Sequence, residues 1–285
     1  MADIKHIAFP VDFSDRCYGA VPFVQGMATR YGAKVTLIHV VYPVYSGGMD
    51  GPIILDLEQL LRDARSRLYA SMVNEFPGVT VESVTEIGDP AGFITDFVKT
   101  NSVDLVMMPS HGYGPFRQLL LGSVTAKVLH DVECPVWTSA HSAEAPDREH
   151  LATRKILCAV DLKPQSVTTM QWAAVMAKDT GAALRLIHVV PGVEAWPDRQ
   201  MDLEFQEQLR TTTRKEIEDL EHSAGIDVPV CVAVGTVPDA VRREAQQHGT
   251  DLLVIGRGVL QERLGRLRTH AYGIIRLAPC PVLSV

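Results

Sequence analysis

The sequence lacks any apolar run long enough to cross a bilayer. No stretch of the 285 residues approaches the roughly 18 to 20 consecutive apolar residues that a spanning helix requires. The opening residues MADIKHIAFP also lack the sustained apolar core of a signal peptide and lead directly into a strand-like run. We therefore expect no membrane partner, no export and a cytoplasmic location.

Paired cysteines are also missing. The chain has five cysteines, and none of them belongs to a CxxC pair. They are Cys17, Cys134, Cys158, Cys231 and Cys280. An odd and scattered set favours reduced, buried thiols over a disulfide framework or a zinc site. The sequence therefore predicts no metal ligands.

Basic residues are fewer than acidic residues in this chain. Lys and Arg number 27 against 34 Asp and Glu, which gives a formal net charge of −7 and a pI of about 5.8. This balance argues against a surface that neutralises nucleic-acid phosphates, so nucleic acid is not expected as a partner. Apolar residues at 46% and charged residues at 21% are typical of folded globular proteins, and the length favours two domains.

The sequence does contain an internal duplication. HIAFPVDFS is matched by KILCAVDLK, and YGAKVTLIHVV by TGAALRLIHVV, each 149 residues further on. Three later blocks, EIGDPAGFI, VDLVMMPSHG and ECPVWTS, have counterparts in the same order. Asp12 therefore corresponds to Asp161, and His39 to His188.

Within each copy, short apolar runs alternate with amphipathic stretches. In the first copy the runs predict strands at 7–11, 35–41, 79–84, 105–108 and 135–137, and the stretches predict helices at 22–30, 57–72, 90–100 and 123–131. Such alternation implies a parallel sheet with helices on both faces and right-handed crossovers. We predict an α/β protein of two tandem, doubly wound domains, each with a five-stranded parallel sheet.

A polar segment separates the copies. HSAEAPDREHLA contains a proline and breaks the apolar periodicity, as a linker does. We predict a first domain over 1–141, a linker over 142–152 and a second domain over 153–285. Each half ends in a short strand that would leave a sheet edge, so we expect the two domains to pair through these strands within the chain.

Two glycine positions follow the predicted fourth strand. Ligands of doubly wound sheets bind beyond the carboxyl ends of strands, where the winding reverses, and Asp12 follows the first strand there. Nine residues separate Gly112 from Gly122-Ser123, which opens a helix. Gly112 would let the backbone approach a phosphate closely, and Gly122-Ser123 would place free N–H groups and a hydroxyl at a helix N-terminus. The segment predicts an anion-binding site.

This pattern resembles the nucleotide signature of the universal stress protein family, in its tandem form. The family signature is G-x2-G-x9-G-S/T after the fourth strand, with an aspartate after the first, and the sequence matches it at Asp12, Gly112, Gly122 and Ser123. The resemblance covers both halves. It implies Rossmann-like, adenine-nucleotide-α-hydrolase-like domains and ATP as the ligand, with Mg²⁺ accompanying its phosphates.

The resemblance also implies a role for each matching position of the first half. Adenine would be held by Asp12 and the backbone of Val40, with Pro10 and Val11 lining the pocket. Ribose and phosphates would lie along Met108, Ser110, His111 and Gly112. The terminal phosphates would contact Gly122, Ser123 and Val124.

The sequence departs from the signature at several positions. Pro109 stands where the first glycine belongs, and it has no N–H to offer. In the second copy Gly256 is kept, but Val259, Thr269 and His270 replace Gly112, Gly122 and Ser123. We therefore expect the second half to have lost ordinary ATP binding, with Asp161 either a relic or a contact for another ligand.

Simpler roles stay open for several of these residues. Asp12 could cap the following helix, and Gly112 and Gly122 could serve only a turn and a helix entry. His111 could donate to a phosphate or lie solvated in a loop. His39 and its counterpart in the second copy lie near the ends of predicted strands, and this position favours a structural role for both.

The sequence indicates binding more than catalysis. It contains no GxxxxGK[ST] motif, no paired carboxylates and no base beside the phosphate site, so no catalytic residue is predicted and any ATP hydrolysis would be slow. The first hypothesis is an ATP-binding regulatory stress-response protein with nucleotide in the N-terminal domain. The alternative is an interaction or scaffold module whose pockets are vestigial or hold another small ligand. A homodimer is compatible with both.

Overall fold

The chain folds into two units that share one topology. The computed structural model describes residues 3–42, 56–112, 121–140, 151–191, 203–257 and 269–285. The two compact units are Asp3–Trp137, the first unit, and Thr138–Val285, the second unit. Most of the predicted linker 142–152 lies outside the described residues. Within these ranges, no helix has both the length and the apolar character needed to cross a membrane.

The first unit is a parallel sheet flanked by helices. Its strands are β1 (His6–Pro10), β2 (Lys34–Val41), β3 (Val81–Ile87), β4 (Leu105–Met108) and β5 (Val136–Thr138). The last residue of β5, Thr138, lies just past the boundary drawn between the units. Its helices are α1 (Asp15–Tyr31), α2 (Leu57–Met72), α3 (Pro90–Thr100) and α4 (Ser123–Asp131). The strand order is β3-β2-β1-β4-β5, and β1 pairs in parallel with both β2 and β4. The winding therefore reverses between β1 and β4.

The apolar runs form the central strands because both faces of the sheet are covered. All five residues of β1 and all four of β4 are buried. Ile7, Ala8 and Phe9 are fully buried although successive side chains point to opposite faces. This burial is the pattern expected of parallel strands between two helical layers.

Helix α1 begins seven residues before the predicted start at residue 22. Its N-cap is Ser14, whose side-chain oxygen accepts a hydrogen bond from the N–H of Cys17 at 3.2 Å. Pro22 lies inside the helix, and the prediction was wrong because it placed this proline in the first turn. The helix ends at Gly32, whose φ of 64° is the left-handed conformation that glycine adopts readily. The predicted bounds of α2, α3 and α4 are confirmed.

The second unit repeats the first. Its strands are β6 (Lys155–Val160), β7 (Ala183–Pro191), β8 (Val230–Gly235), β9 (Leu252–Ile255) and β10 (Val282–Ser284), and its helices are α5 (Ser166–Thr180), α6 (Leu203–Ala224), α7 (Val237–His248) and α8 (Thr269–Leu277). The order is β8-β7-β6-β9-β10, with β6 parallel to β7 and β9.

Backbone details follow the duplication closely. Gly181 ends α5 with a φ of 71°, as Gly32 ends α1. Phe13 and Leu162, each directly after the aspartate that follows the first strand of its unit, both have a φ of 59°. The predicted fold class, a tandem α/β protein with parallel sheets flanked by helices, is confirmed.

Candidate functional site

The reversal of winding in the first unit places a candidate site beyond the carboxyl ends of β1 and β4. Pro10 and Val11 are buried at the end of β1. Pairing with β2 ends where the N–H of Val11 donates to the carbonyl of Ile38 at 2.8 Å, whereas β2 continues to Val41. The half-buried Val40 therefore lies on a stretch of β2 that extends past its neighbour, beside the end of β1.

Asp12 is held by the start of α1. Its Oδ1 accepts hydrogen bonds from the N–H of Ser14 at 2.9 Å and from the hydroxyl of Ser14 at 2.6 Å. Ser14, not Asp12, is the N-cap of α1. Asp12 stabilises the start of the helix indirectly, because it binds Ser14. One carboxylate oxygen is thereby fixed, and the orientation of the other is set.

That second oxygen lies against Gly112. A Cβ built on Gly112 would overlap Oδ2 of Asp12 and would lie 3.4 Å from its Cγ. Any side chain at position 112 would therefore displace a carboxylate that Ser14 holds in place. The glycine allows the chain after β4 to touch the aspartate after β1.

Gly122 is the second glycine at which two segments of backbone come close together. It is the N-cap of α4, with φ −61° and ψ 142°, and no side chain in the described residues caps this helix. A Cβ at Gly122 would lie 3.2 Å from the backbone Cα of His111. The N-terminus of α4 is thus packed on the backbone that leaves β4, which requires a small residue at 122.

The N–H of Gly122 is already used. It donates to the carbonyl of Ser110 at 2.9 Å, so the prediction of a free N–H at this residue is wrong. Ser123 and Val124 follow in the first turn of α4, where N–H groups have no carbonyl partner within the helix. These two N–H groups, with the Ser123 hydroxyl and the N–H of Thr125 in the same turn, are the ones that the geometry offers to an anion.

The residues at the end of β4 and directly before Gly112 are buried. Met108, Ser110 and His111 have exposed fractions of 3%, 0% and 2%. Nδ1 of His111 lies 3.2 Å from the hydroxyl of Ser110. The alternative in which His111 is solvated in a loop is therefore wrong, and its side chain belongs to the interior of the unit.

Two contributing residues were missed in the sequence. Ser14 links Asp12 to α1, and the hydroxyl of Thr125 donates to the carbonyl of Pro109 at 3.0 Å. A serine two positions after a strand-ending aspartate is a recognisable N-cap signal. The role of Thr125 has no such signal, because it depends on how α4 packs against the end of β4.

The paired histidines are structural. Nδ1 of His39 lies 2.7 Å from the carbonyl of Val11, and Nδ1 of His188 lies 2.9 Å from the carbonyl of Val160. Each histidine therefore binds a carbonyl at the end of the neighbouring strand, directly after β1 for His39 and on the last residue of β6 for His188, in agreement with the structural role that the sequence favours.

Cys17 lies under the site but is not a nucleophile. Its side chain is fully buried, and its sulfur lies 3.9 Å from the carbonyl of Pro10. Burial raises the pKa of the Cys17 thiol to about 12. The thiol is therefore protonated at neutral pH, and thiolate chemistry is not available here.

The equivalent place in the second unit differs in detail. Asp161 is exposed, and its Oδ1 accepts a hydrogen bond from the hydroxyl of Ser166 at 2.9 Å. Gly256 packs against α5, since a Cβ there would lie 2.9 Å from Oγ1 of Thr169. His270, in the first turn of α8, is exposed. Val259 lies outside the described residues.

Fold and site together define a tandem α/β protein with a candidate ligand site at the reversal point of each parallel sheet. A family model described as the universal stress protein family matches residues 3–139 and 152–285. The chain therefore belongs to the universal stress protein family, as a member with two tandem domains.

Individual proteins similar to this chain are also universal stress proteins. A universal stress protein of Methanocaldococcus jannaschii is 30% identical over 136 residues, which cover 46% of this chain and 79% of that protein. One of Mycolicibacterium smegmatis is 28% identical over 186 residues, covering 63% of this chain and 62% of its own. A solved universal stress protein from Archaeoglobus fulgidus superposes with a TM-score of 0.73 at 19% identity, covering 98% of this chain and 97% of that one. This last likeness supports the fold alone.

Proposed function

We propose that this chain is an ATP-binding regulatory stress-response protein whose nucleotide binds in the first unit. The observation that carries the proposal is the contact made through two glycines. Gly112 meets the carboxylate of Asp12, and Gly122 meets the backbone of His111. Together they bring the ends of β1 and β4 and the N-terminus of α4 to one place, with bare backbone at both approaches.

These residues fit an adenine nucleotide in two respects. The backbone of β2 around Val40, which runs past the end of β1, offers hydrogen-bonding edges for a base beside Pro10, Val11 and Asp12. The uncapped first turn of α4 offers N–H groups and a helix dipole to phosphate oxygens.

The roles follow from these positions. Pro10, Val11, Asp12 and Val40 would hold the base. Met108, Ser110, His111 and Gly112 would border the ribose and the inner phosphates, although the buried Ser110 and His111 side chains limit them to backbone or short-range contact. Gly122, Ser123 and Val124 would surround the terminal phosphates, with the N–H groups of the last two as donors.

Mg²⁺ would arrive with the nucleotide. The described residues include no group of three or more His, Cys, Asp or Glu side chains arranged to hold a metal ion, so the phosphates themselves would supply its ligands together with water. No residue is assigned a catalytic role. The protein would respond to nucleotide by binding it, with hydrolysis slow if it occurs.

The test is ATP titration of the full chain with Gly122→Val and a matched glycine control. Gly122→Val would press side-chain atoms on the backbone of His111, and we expect ATP affinity to fall by at least about tenfold. Gly26→Val is the control, because Gly26 is exposed in α1 and a Cβ there meets nothing within 4 Å. Its ATP affinity should match that of the wild type.

Mass spectrometry of ligand released from freshly purified protein accompanies the titration. Unchanged ATP binding by Gly122→Val would place the nucleotide elsewhere. No ATP binding by the wild type would contradict the proposal and favour the alternative, an interaction module with vestigial pockets.

A further inference from the structure

The second unit contains a cavity that the proposed nucleotide site does not use. Its volume is about 250 Å³, and it lies at the carboxyl ends of β6, β7 and β9, between α5, α7 and α8. A water molecule occupies about 30 Å³ of liquid, so the space corresponds to roughly eight waters. Pockets for drug-sized ligands begin at roughly 300 Å³, so this cavity suits a smaller molecule than a nucleoside triphosphate.

Most of the cavity wall is aliphatic. The strands contribute Val160, Ile187 and Ile255, and the helices contribute Val241, Ala271 and Ile274. Burying an apolar ligand against such side chains is favourable at roughly 25 cal/mol per Å² of apolar surface removed from water. The body of a matching ligand is therefore apolar and compact.

One end of the cavity is polar. Asp161 lines it together with the hydroxyl groups of Ser166 and Thr169, and the Ser166 hydroxyl donates to Oδ1 of Asp161 at 2.9 Å. Among the described lining residues, Asp161 is the only Asp, Glu, Lys or Arg. The fixed charge at the cavity is therefore negative, which favours a cation or a hydrogen-bond donor and opposes phosphate or carboxylate groups.

This polar end arose at positions that differ between the copies. Ser166 and Thr169 correspond to Cys17 and Ala20, both fully buried in the first unit. Gly256 permits the close approach of Thr169 to the end of β9, whereas the first unit has Pro109 at that position. The second unit has thus kept its aspartate, which the Ser166 hydroxyl binds, and has placed Thr169 on the wall of the same cavity.

We propose that the second unit binds a compact amine, that is, a small apolar molecule carrying an amino group that contacts Asp161. This site is separate from the nucleotide site proposed for the first unit and does not depend on it. The apolar body fills the space between β7, β9 and α8, and the amino group lies at the carboxylate.

Three probes of nearly equal size separate charge from shape. Benzylamine, benzyl alcohol and benzoate share one aromatic body and carry a positive, a neutral and a negative head group. Titration of the ¹⁵N-labelled full chain, followed through amide shifts, should give benzylamine the highest affinity, with a Kd on the order of 1 mM for about eight non-hydrogen atoms. Benzoate should bind the weakest, and shifts should concentrate near Asp161, Thr169 and Gly256. His188 and His270 also line the cavity and would add positive charge if protonated, so the titration is done at pH 8.

Two variants test the residues. Asp161→Asn keeps an acceptor for the Ser166 hydroxyl but removes the charge, and it should weaken benzylamine about fivefold while leaving benzyl alcohol within about twofold. Asp219→Asn removes the same charge from an exposed position of α6, and should change neither. Ile274→Trp should fill the cavity and abolish the binding of both probes, while well-dispersed ¹⁵N amide signals from second-unit residues away from the cavity would show that this unit is folded.

The proposal is overturned by any of three results. These are no binding of benzylamine up to about 10 mM, benzoate binding as well as benzylamine, or equal benzylamine affinity of Asp161→Asn and the wild type. None of these results bears on ATP binding in the first unit, so the two proposals can fail independently.

Discussion

Gly112 and Asp12 form a contact that only glycine allows. A Cβ at residue 112 would overlap Oδ2 of Asp12. Oδ1 is bound by the N–H and the hydroxyl of Ser14, so the carboxylate cannot turn away without losing those hydrogen bonds. The glycine therefore has a structural reason to be present whether or not a phosphate binds beside it.

This contact predicts strong coupling between the two positions. Gly112→Ala should lower the stability of the chain by about 1–2 kcal/mol, because the new methyl group displaces the Asp12 carboxylate. Asp12→Ala should cost about 1 kcal/mol through the lost hydrogen bonds to Ser14. The double variant should be more stable than the sum of these losses implies, since the collision disappears with the carboxylate. Thermal unfolding of all four proteins measures the coupling, and simple additivity would show that the contact does not constrain position 112.

Glu221 is a buried carboxyl group near the end of α6. It is 6% exposed, and its Oε1 accepts a hydrogen bond from the N–H of Val228 at 3.1 Å. Burial raises the pKa of Glu221, and the nearby Asp227 and Glu218 raise it further. Because the folded-state pKa lies above the unfolded value, the contribution of this group to stability is full below the unfolded pKa and is lost as the pH rises through the folded pKa.

Replacement of Glu221 by glutamine should therefore stabilise the protein at neutral pH. The amide keeps an acceptor for the N–H of Val228 without a desolvated charge, so we expect a gain of about 1 kcal/mol at pH 7.5 and almost none at pH 4.5. Thermal unfolding at the two pH values measures the difference. Glu216→Gln, at an exposed position of the same helix, should show no such pH-dependent gain. A loss of stability at pH 7.5 would mean that the ionised form of Glu221 is favoured.

At the scale of elements, the end of β1 and the start of α1 are joined by hydrogen bonds among Asp12, Ser14 and Cys17. The Ser14 hydroxyl donates to Asp12 at 2.6 Å, and its oxygen accepts from the N–H of Cys17 at 3.2 Å. The helix therefore begins where the aspartate of the site can hold its cap. Pro22, two turns later, costs one helical hydrogen bond but does not set the boundary.

The cap predicts a measurable loss when its hydroxyl is removed. Ser14→Ala should destabilise the chain by about 1–2 kcal/mol, and Ser14→Thr should restore most of that stability because threonine also caps helices. Ser71→Ala is the matched control, since the Ser71 hydroxyl donates to the carbonyl of Arg67 within α2 and does not cap a helix. Thermal unfolding compares the three variants. A neutral Ser14→Ala would mean that Asp12 alone supports the start of α1.

At the scale of the whole chain, the duplication made most of the fold predictable. The alternation of apolar runs and amphipathic stretches within each copy predicted the α/β class. The duplication located equivalent positions such as His39 and His188, which bind equivalent carbonyls. Hydrophobic periodicity placed α2, α3 and α4 correctly because these helices have one clear apolar face. The start of α1 was missed because a proline resembles a helix start more strongly than an Asp-x-Ser sequence does.

The details of the sites were less predictable, since they depend on packing between elements. The N–H of Gly122 is used because α4 lies against the carbonyl of Ser110, which no local pattern indicates. The burial of His111 follows from the same packing. The polar lining of the second-unit cavity was not predicted either, because it depends on the packing of Ser166 and Thr169 of α5 against the end of β6 and against Gly256, which follows β9.

The divergence of the two units predicts that they respond to different ligands. ATP at 100 times its Kd should slow hydrogen exchange in the first unit by up to about 100-fold, because exchange there requires opening of the occupied site. The affected amides are those of residues 11–12, 108, 110–112 and 121–125. Residues 160–169 and 270–274 of the second unit should exchange as before, whereas benzylamine should slow these and leave the first set unchanged. Exchange measured by mass spectrometry on the full chain, with Gly122→Val and Asp161→Asn as the two controls, separates the sites. Equal protection of both units by ATP would show that the second unit still binds nucleotide, and that the loss of its glycines did not matter.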